Sequence, residues 1–428
     1  MPKNPTPRLA ILGAGPIGLE AGLYAKQLQL PFTIYERGRT AEHLRQWGHV
    51  RLFTPFGMNV TALGRHLLRT TRPQQELPAD DALLTGREHV EKYLAPLAES
   101  LAGQIKTETL VVQVGRRGCF KHESDPERAR QPFLLHLREK NKDRFEEADV
   151  VLDCTGTYAQ HRWLGPGGLQ AIGEAQLEAQ IAYGLEDVLG DKQKDYVNRS
   201  ILLVGAGYSA ATTACNLAQL AESQNTTWIT WVARGSQSQP LRRIPNDPLR
   251  ERDRIAVRAN NLATRTDANV EYHSQTVVET IESLGQGGGF RVTCRSAGRP
   301  RIWEVERIIG NVGHTPASWL HRELQIQDCP FTLAPQKLAT ALASQRTQDL
   351  MRQTALGPDS LRNPEPNYFI LGAKSYGRLP LFLLRVGFEQ VRDVFTLIMG
   401  NAGLDLYAST TASGGRKPPD STSRSPLW

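Results

Sequence analysis

Two glycine-rich turns carry the clearest chemistry in this 428-residue chain. The first is Gly13-Ala14-Gly15-Pro16-Ile17-Gly18 and the second is Gly205-Ala206-Gly207-Tyr208-Ser209-Ala210. In such a turn the leading glycine permits a tight bend after a strand, and the middle one lets a pyrophosphate reach the backbone. The third position, Gly18 or Ala210, must be small so that helix and strand can pack closely. The phosphates then lie on the N–H groups and positive dipole of the helix that starts there. Each turn predicts a dinucleotide site, with Pro16 and Ile17 opening one helix and Tyr208 and Ser209 the other.

The two sites differ at the end of the following strand. Glu36 lies 18 residues beyond Gly18, where a carboxylate can accept hydrogen bonds from both hydroxyls of a ribose. The strand after the second turn ends Val232-Ala233-Arg234. A guanidinium there would clamp a 2′-phosphate, which suits NADPH better than NADH. Arg242 and Arg243 could share that role; the alternative for Arg234 is a solvated turn residue.

The elements that must hold these turns can be read around them. Arg8–Leu12 reads as a buried strand, about Ile17 to Leu30 as a helix and Phe32–Tyr35 as a second strand. From about 105 to 152, short alternating segments at Leu110–Val114, Phe133–Arg138 and Phe145–Leu152 suggest an antiparallel meander. The pattern then recurs about 190 residues on. Ile201–Val204 and Trp228–Val232 are strands flanking a helix from Ser209 to about Leu220, and β-like pieces follow at Val270–Ile281, Phe290–Cys294 and Trp303–Ile309. A closing strand, Tyr368–Leu371, leads through a glycine loop to a helix from about Pro380 to Met399. The stretches 234–248 and 334–366 read as long loops. The fold class is α/β, with two Rossmann-like domains built on parallel sheets and two small antiparallel β-meanders.

Composition narrows the function. Charged residues are 22% and hydrophobic ones 40%, an ordinary globular balance that argues against disorder. The net charge is 51 − 44 = +7, but the basic residues are scattered, so no nucleic-acid surface is expected. No apolar run reaches membrane-spanning length. The chain start has no apolar signal core, which predicts a cytoplasmic protein. The five cysteines include no Cys-x-x-Cys, and the histidines lack zinc-type spacing, so neither a dithiol couple nor a catalytic metal is expected.

On these residues the sequence resembles the two-dinucleotide-binding-domain flavoproteins, in particular their flavin-containing monooxygenase and thioredoxin-reductase-like branches. The resemblance spans about residues 8 to 400. It implies FAD at the first turn, held by Gly13, Gly15, Gly18 and Glu36 together with Arg37 and Val112, and NADPH at the second. Asp149-Val150-Val151-Leu152-Asp153-Cys154-Thr155-Gly156 is similar to the D-x-V-x-x-A-T-G strand and turn of that family. Thr155 and Gly156 are thereby implied at the flavin, and Cys154 becomes a small buried residue. Asn367–Gly372 is similar to the strand that delivers a flavin-contacting glycine, Gly372. An acid often follows it in the family, where this chain has Ala373-Lys374.

Trp47 and Val50-Arg51-Leu52-Phe53-Thr54-Pro55 resemble a monooxygenase segment that lines the flavin. The likeness places Trp47, Arg51 and Thr54 near the isoalloxazine, with Arg51 and Thr54 as candidate catalytic residues. Arg51 would stabilise negative charge on a flavin peroxide; a surface or phosphate-contacting arginine is the alternative. Two departures stand out. The F-x-G-x-x-x-H motif ahead of the second turn is absent, and Pro55 occupies a position where many relatives have asparagine.

The resemblance implies a domain plan: 1–160 with 311–408 for FAD, 161–310 for NADPH, and a flexible tail at 409–428. It also implies hydride transfer from NADPH to flavin. The expected enzyme is a monooxygenase that uses O2 to form a C4a-hydroperoxyflavin and oxygenates a small sulfur or nitrogen nucleophile or a carbonyl. The alternatives are a reductase passing electrons to a small or protein acceptor without a dithiol, and a flavin-binding sensor without turnover. A homodimer is the default expectation. His314, in the segment crossing between domains, could touch cofactor or serve as a turn residue. Arg385, among apolar neighbours, needs either a substrate-side role or an ion pair.

Overall fold

The computed structural model describes residues 6–123, 126–223, 226–265, 269–285, 287–345 and 350–413. Strands β1 (Leu9–Leu12), β2 (Phe32–Tyr35) and β3 (Ile105–Lys106) precede a meander of β4 (Thr109–Arg116), β5 (Phe133–Glu139) and β6 (Lys142–Ala148), and β7 (Val150–Asp153) follows. The series then repeats: β8 (Ser200–Val204), β9 (Trp228–Val232), β10 (Val270–His273), a meander of β11 (Thr276–Ser283), β12 (Phe290–Ser296) and β13 (Arg299–Val305), and β14 (Arg307–Gly310). β15 (Tyr368–Ile370) closes the first sheet, whose order is β15-β7-β1-β2-β3; the second is β10-β9-β8-β14. All pairings in both sheets are parallel. β7-β1-β2-β3 and β14-β8-β9-β10 are therefore the same arrangement built twice. Every residue of β1 and β7 is buried, as expected for strands covered on both faces. The expected α/β architecture of two Rossmann-like units with antiparallel meanders is the one observed.

Both meanders carry an extra residue in their first strand. The register slips between Val111 and Gln113 in β4 and between Val278 and Thr280 in β11, leaving Val112 and Glu279 as bulge residues. A bulge re-aims side chains and sharpens local twist.

Three stretches that read as single segments divide, and Phe145–Leu152 is one of them, split between β6 and β7 at Asp149. Val270–Ile281 becomes β10 and β11, and Trp303–Ile309 falls on β13 and β14, because the chain leaves one sheet for another at Gln275 (φ 49°) and near Glu306. Uninterrupted β propensity does not mark such a change of partner. Part of the expected loop 334–366 is the helix Gln336–Ser344, anchored by buried Leu338 and Ala339. Residues 409–413 of the expected tail belong to the helix Leu406–Ser413, whose first N–H donates to the Tyr24 hydroxyl; 414–428 lie outside the described residues.

The two units are joined by a ribbon. Arg162 N–H donates to Gly313 O (2.9 Å) and Thr315 N–H to Gln160 O (2.9 Å), so the outgoing and returning chains pair antiparallel around His161 and His314. Buried Glu174 steadies the outgoing arm by accepting from Leu164 N–H, Ala171 N–H and the Tyr183 hydroxyl. The Phe53 ring meets Tyr208 of the second turn edge-on, with centroids 5.4 Å apart. Among the described residues no helix is long and apolar enough to cross a membrane.

Candidate active site

β1 ends where its chain must turn under the helix Pro16–Gln27. Gly13 takes φ +95°, and a Cβ there would stand 2.8 Å from Cys154 O. At Gly18 a Cβ would fall 1.9 Å from Gly13 O, so helix and turn are in backbone contact. Gly15 differs: a Cβ would meet no atom within 4 Å. That open side, beside a helix start with proline in its first turn and no side-chain cap, is where an anion can approach the backbone. Glu36, 8% exposed, folds over the turn; its Oε2 accepts from Ala14 N–H (2.8 Å) and its Oε1 from Gly38 N–H (2.9 Å). Each oxygen keeps a lone pair for a ribose hydroxyl. Val112, the bulge residue, is half-buried in the strand that follows β3.

At the second turn Gly205 (φ +139°) would place a Cβ 2.4 Å from Asn311 O, and the Trp231 indole N–H donates to Gly205 O (2.7 Å). Gly207 is open like Gly15. Ala210 is fully buried, and its methyl lies 3.3 Å from the position a Gly205 Cβ would take. Tyr208 and Ser209 begin the helix Tyr208–Ser223. Arg234 lies two residues beyond β9 and is exposed to solvent. Arg243 is bound through two hydrogen bonds to Asp253 (2.9 and 2.8 Å), whereas Arg242 is exposed. Arg162 on the ribbon is pushed down by burial and by the nearby Arg378 and Arg234 guanidinia.

The first sheet's closing strands hold a polar knot that sequence reading did not foresee. Lys374 Nζ lies 2.6 Å from Asp153 Oδ2 and 3.2 Å from Thr155 Oγ1, while the Tyr368 hydroxyl donates to Asp153 Oδ2 (2.8 Å). Thr155 donates to Asp153 Oδ1 (2.7 Å) and so is held beside Gly156. At Gly372 (φ +70°) a Cβ would stand 3.1 Å from Ile17, and the Gly372 N–H donates to buried Gln390 (2.9 Å). The signal for Lys374 was in the sequence as an acid, Asp153, inside an otherwise apolar strand, and a lysine just after the position where an acid is usual.

An aromatic group lines the rim. Trp47 packs against Gly86 and lies 6.3 Å from the Tyr158 ring, with its Nε1 buried and unpartnered. Tyr158 in turn meets His43 and His314. His43 accepts from or donates to exposed Arg37 (2.9 Å); burial, reinforced by Arg37, pushes its imidazole down to about 4. Burial also lowers His314. Arg385 takes neither expected role: it donates to the Met351 and Gln353 carbonyls (2.9 and 2.7 Å).

Arg51 and Thr54 are not gathered with this rim. Arg51 is exposed, reaches Leu83 O (3.4 Å) and lines a cavity shared with helices of the second unit. The Thr54 hydroxyl donates to Asn59 Oδ1 (2.8 Å), and Asn59 Nδ2 returns a bond to Thr54 O (3.0 Å). All five cysteines are buried and none is bonded to another.

A family profile described as pyridine nucleotide-disulphide oxidoreductase matches residues 10–124. No protein of curated function matches the sequence. Several solved structures share the fold over nearly their whole length. Bacillithiol disulfide reductase Bdr from Bacillus cereus is 14% identical with a TM-score of 0.64, covering 92% of this chain and 99% of its own. The FAD-bound cadaverine monooxygenase DfoA from Erwinia amylovora is 15% identical with a TM-score of 0.63, covering 93% and 95%. Ornithine N-hydroxylase KtzI from Kutzneria sp. 744 is 14% identical with a TM-score of 0.60, covering 92% and 99%. At these identities the likeness is one of fold.

Proposed function

We propose that this chain is an FAD-dependent, NADPH-using oxidoreductase that works as a monooxygenase on a small nucleophilic or carbonyl substrate. The observation that carries it is the pair of turns, each with an open middle glycine, the first closed by the Glu36 carboxylate and the second followed beyond its strand by exposed Arg234. Residues 1–160 with 311–408 would form the FAD-binding domain and 161–310 the NADPH-binding domain, hinged at the ribbon.

The residues present fit both groups. Gly13, Gly15, Pro16, Ile17 and Gly18 would receive the FAD pyrophosphate and Glu36 its ribose, with Arg37 and Val112 alongside. Thr155, Gly156, Gly372 and Trp47, whose indole N–H lacks a partner, would face the flavin. Gly205, Gly207, Tyr208, Ser209 and Ala210 would receive NADPH, with Arg234 on its 2′-phosphate. Bound flavin would supply the redox chemistry between the nicotinamide and the final acceptor. The protein's part is orientation: the Asp153–Lys374 knot fixes Thr155, and the Glu36 hydrogen bonds fix the first turn. Arg51 and Thr54 stand as the candidates for oxygen-side chemistry only if the segment 50–55 swings toward the rim.

Oxygen is favoured over a thiol relay by the cysteines. Burial raises the Cys154 thiol well above its ordinary value and pushes Cys215 up to about 11 and Cys294 up to about 12; hydrogen bonds from Thr332 and Phe331 lower Cys329, but it is bonded to no second cysteine. The similarity in fold to the cadaverine and ornithine monooxygenases supports the same reading. A second reading, direct reduction of a small acceptor, draws on the equal likeness to a disulfide reductase. The deciding experiment is anaerobic reduction by NADPH followed by rapid mixing with oxygenated buffer. A transient spectrum before oxidised flavin returns supports the monooxygenase; immediate return with prompt peroxide release supports the reductase.

A further inference from the structure

We propose that the cavity between the segment after Trp47 and the outer helices of the second unit binds a small oxyanion, a carboxylate or phosphate carried by a compound of modest size. The cavity encloses about 270 Å3 and takes its walls from both units. His49, Arg51 and Phe53 form one side. Asn216 and Gln219, from the helix Tyr208–Ser223, and Arg258, from the helix Arg250–Thr264, form the other. Its size falls just below the usual range of ligand pockets, about 300 to 1,000 Å3.

The charges point to the ligand. Glu251 and Arg254 also reach the cavity, but they neutralise each other through two hydrogen bonds of 3.0 and 2.6 Å. Arg51 has only the long bond to Leu83 O. No carboxylate pairs with Arg51 or Arg258 among the described residues. Two guanidinia, one from each unit, thus line a single space without a carboxylate in ion-pair contact, although Glu88 acts on Arg51, and Glu186 and Asp187 on His49, at longer range. An oxyanion in that space would accept from two planar donor forks. Neutral donors are also on hand. The carboxamides of Asn216 and Gln219 make no side-chain hydrogen bond among the described residues, and His49 Nε2 is buried without a partner. This set of donors suits a carboxylate or phosphate better than a cation or a hydrocarbon. Because its walls belong to different units, the bound anion would also hold them in the arrangement where Phe53 meets Tyr208. The inference needs no redox chemistry and stands apart from the flavin reading.

The test is titration calorimetry on the full-length, flavin-loaded protein at low ionic strength, using inorganic phosphate and citrate as probes. The expected result is saturable binding of at least one probe, weakened at least tenfold by Arg258→Ala and by Arg51→Ala and changed less than twofold by Arg243→Ala, whose guanidinium is already tied to Asp253. Absence of saturable binding overturns the proposal. So does binding lost only in Arg234→Ala, which would put the anion at the second turn, and so does equal weakening by every arginine variant. A panel of small carboxylates then separates the sources. Conversion of the bound compound makes the cavity the anchor for a substrate's anionic end; altered NADPH oxidation without conversion makes it an effector site.

Discussion

Lys374 and Asp153 form an ion pair in which neither side chain is more than 1% exposed, with Nζ and Oδ2 2.6 Å apart. Burial works to raise the Asp153 carboxyl, but the Lys374 ammonium and hydrogen bonds overcome it and hold the group below its ordinary value. The pair joins β7 to the turn after β15 at the point where the first site is closed. Removing one partner leaves a charge stranded in the core, so Lys374→Met should cost about 3–5 kcal/mol. The double variant Lys374→Met with Asp153→Ala should recover much of that loss in chemical denaturation. The folded carboxyl is depressed, so its stabilisation is present above the ordinary carboxyl range and lost as pH falls through the lowered value. The double variant should lack that acid-side loss.

Glu20 has the opposite sign. It lies buried in the helix Pro16–Gln27 and accepts from the Thr61 hydroxyl (3.0 Å). Burial pushes its carboxyl up to about 7, against the lowering effect of the Thr61 and Tyr407 hydroxyls. The folded state therefore keeps a proton that the unfolded chain releases near 4.5. Stability should fall as pH rises from that value to about 7, by about 3 kcal/mol in all. Glu20→Gln should abolish the decline, with a higher Tm than the parent at pH 8 and little difference at pH 4.5.

The glycines of the first turn should separate folding from binding. Gly18→Ala drives a methyl into Gly13 O and should leave little folded protein. Gly15→Ala adds its methyl to open space. It should fold with nearly parental far-UV dichroism but purify without yellow colour, because the methyl takes room a pyrophosphate needs.

Arg234 and Arg243 should part company in kinetics. Arg234→Ser should lower kcat/KM for NADPH by about 10–100-fold with little change for NADH, the scale of one lost charge-assisted phosphate contact. Arg243→Ala should leave the preference close to parental. A parental that already prefers NADH would sink the role given to Arg234.

What was legible in the sequence follows from how local each signal is. The turns, their helices and the duplication rest on glycine spacing and periodicity within about 30 residues, and the structure has them where they were read. The loop 334–366 hid a helix because Gln336–Ser344 is short and held by contacts to distant segments rather than by its own pattern. Lys374 was noticed only as an irregularity, since its partner lies 221 residues away. Arg51 was placed by analogy, and the side to which segment 50–55 turns depends on the second unit's helices, which no local motif describes.

The ribbon at Gln160–Arg162 and Gly313–Thr315 has a mechanical consequence. Two bodies linked by one strand can tumble freely, but two antiparallel tethers hydrogen-bonded side by side act as a pair of door pins. They leave one soft degree of freedom, a swing about the line between them, and resist separation and sliding. A single backbone cut in either arm would leave the bodies attached through the other. The contact between Phe53 and Tyr208 then works as a latch on that swing, and its making or breaking would report the angle of the door.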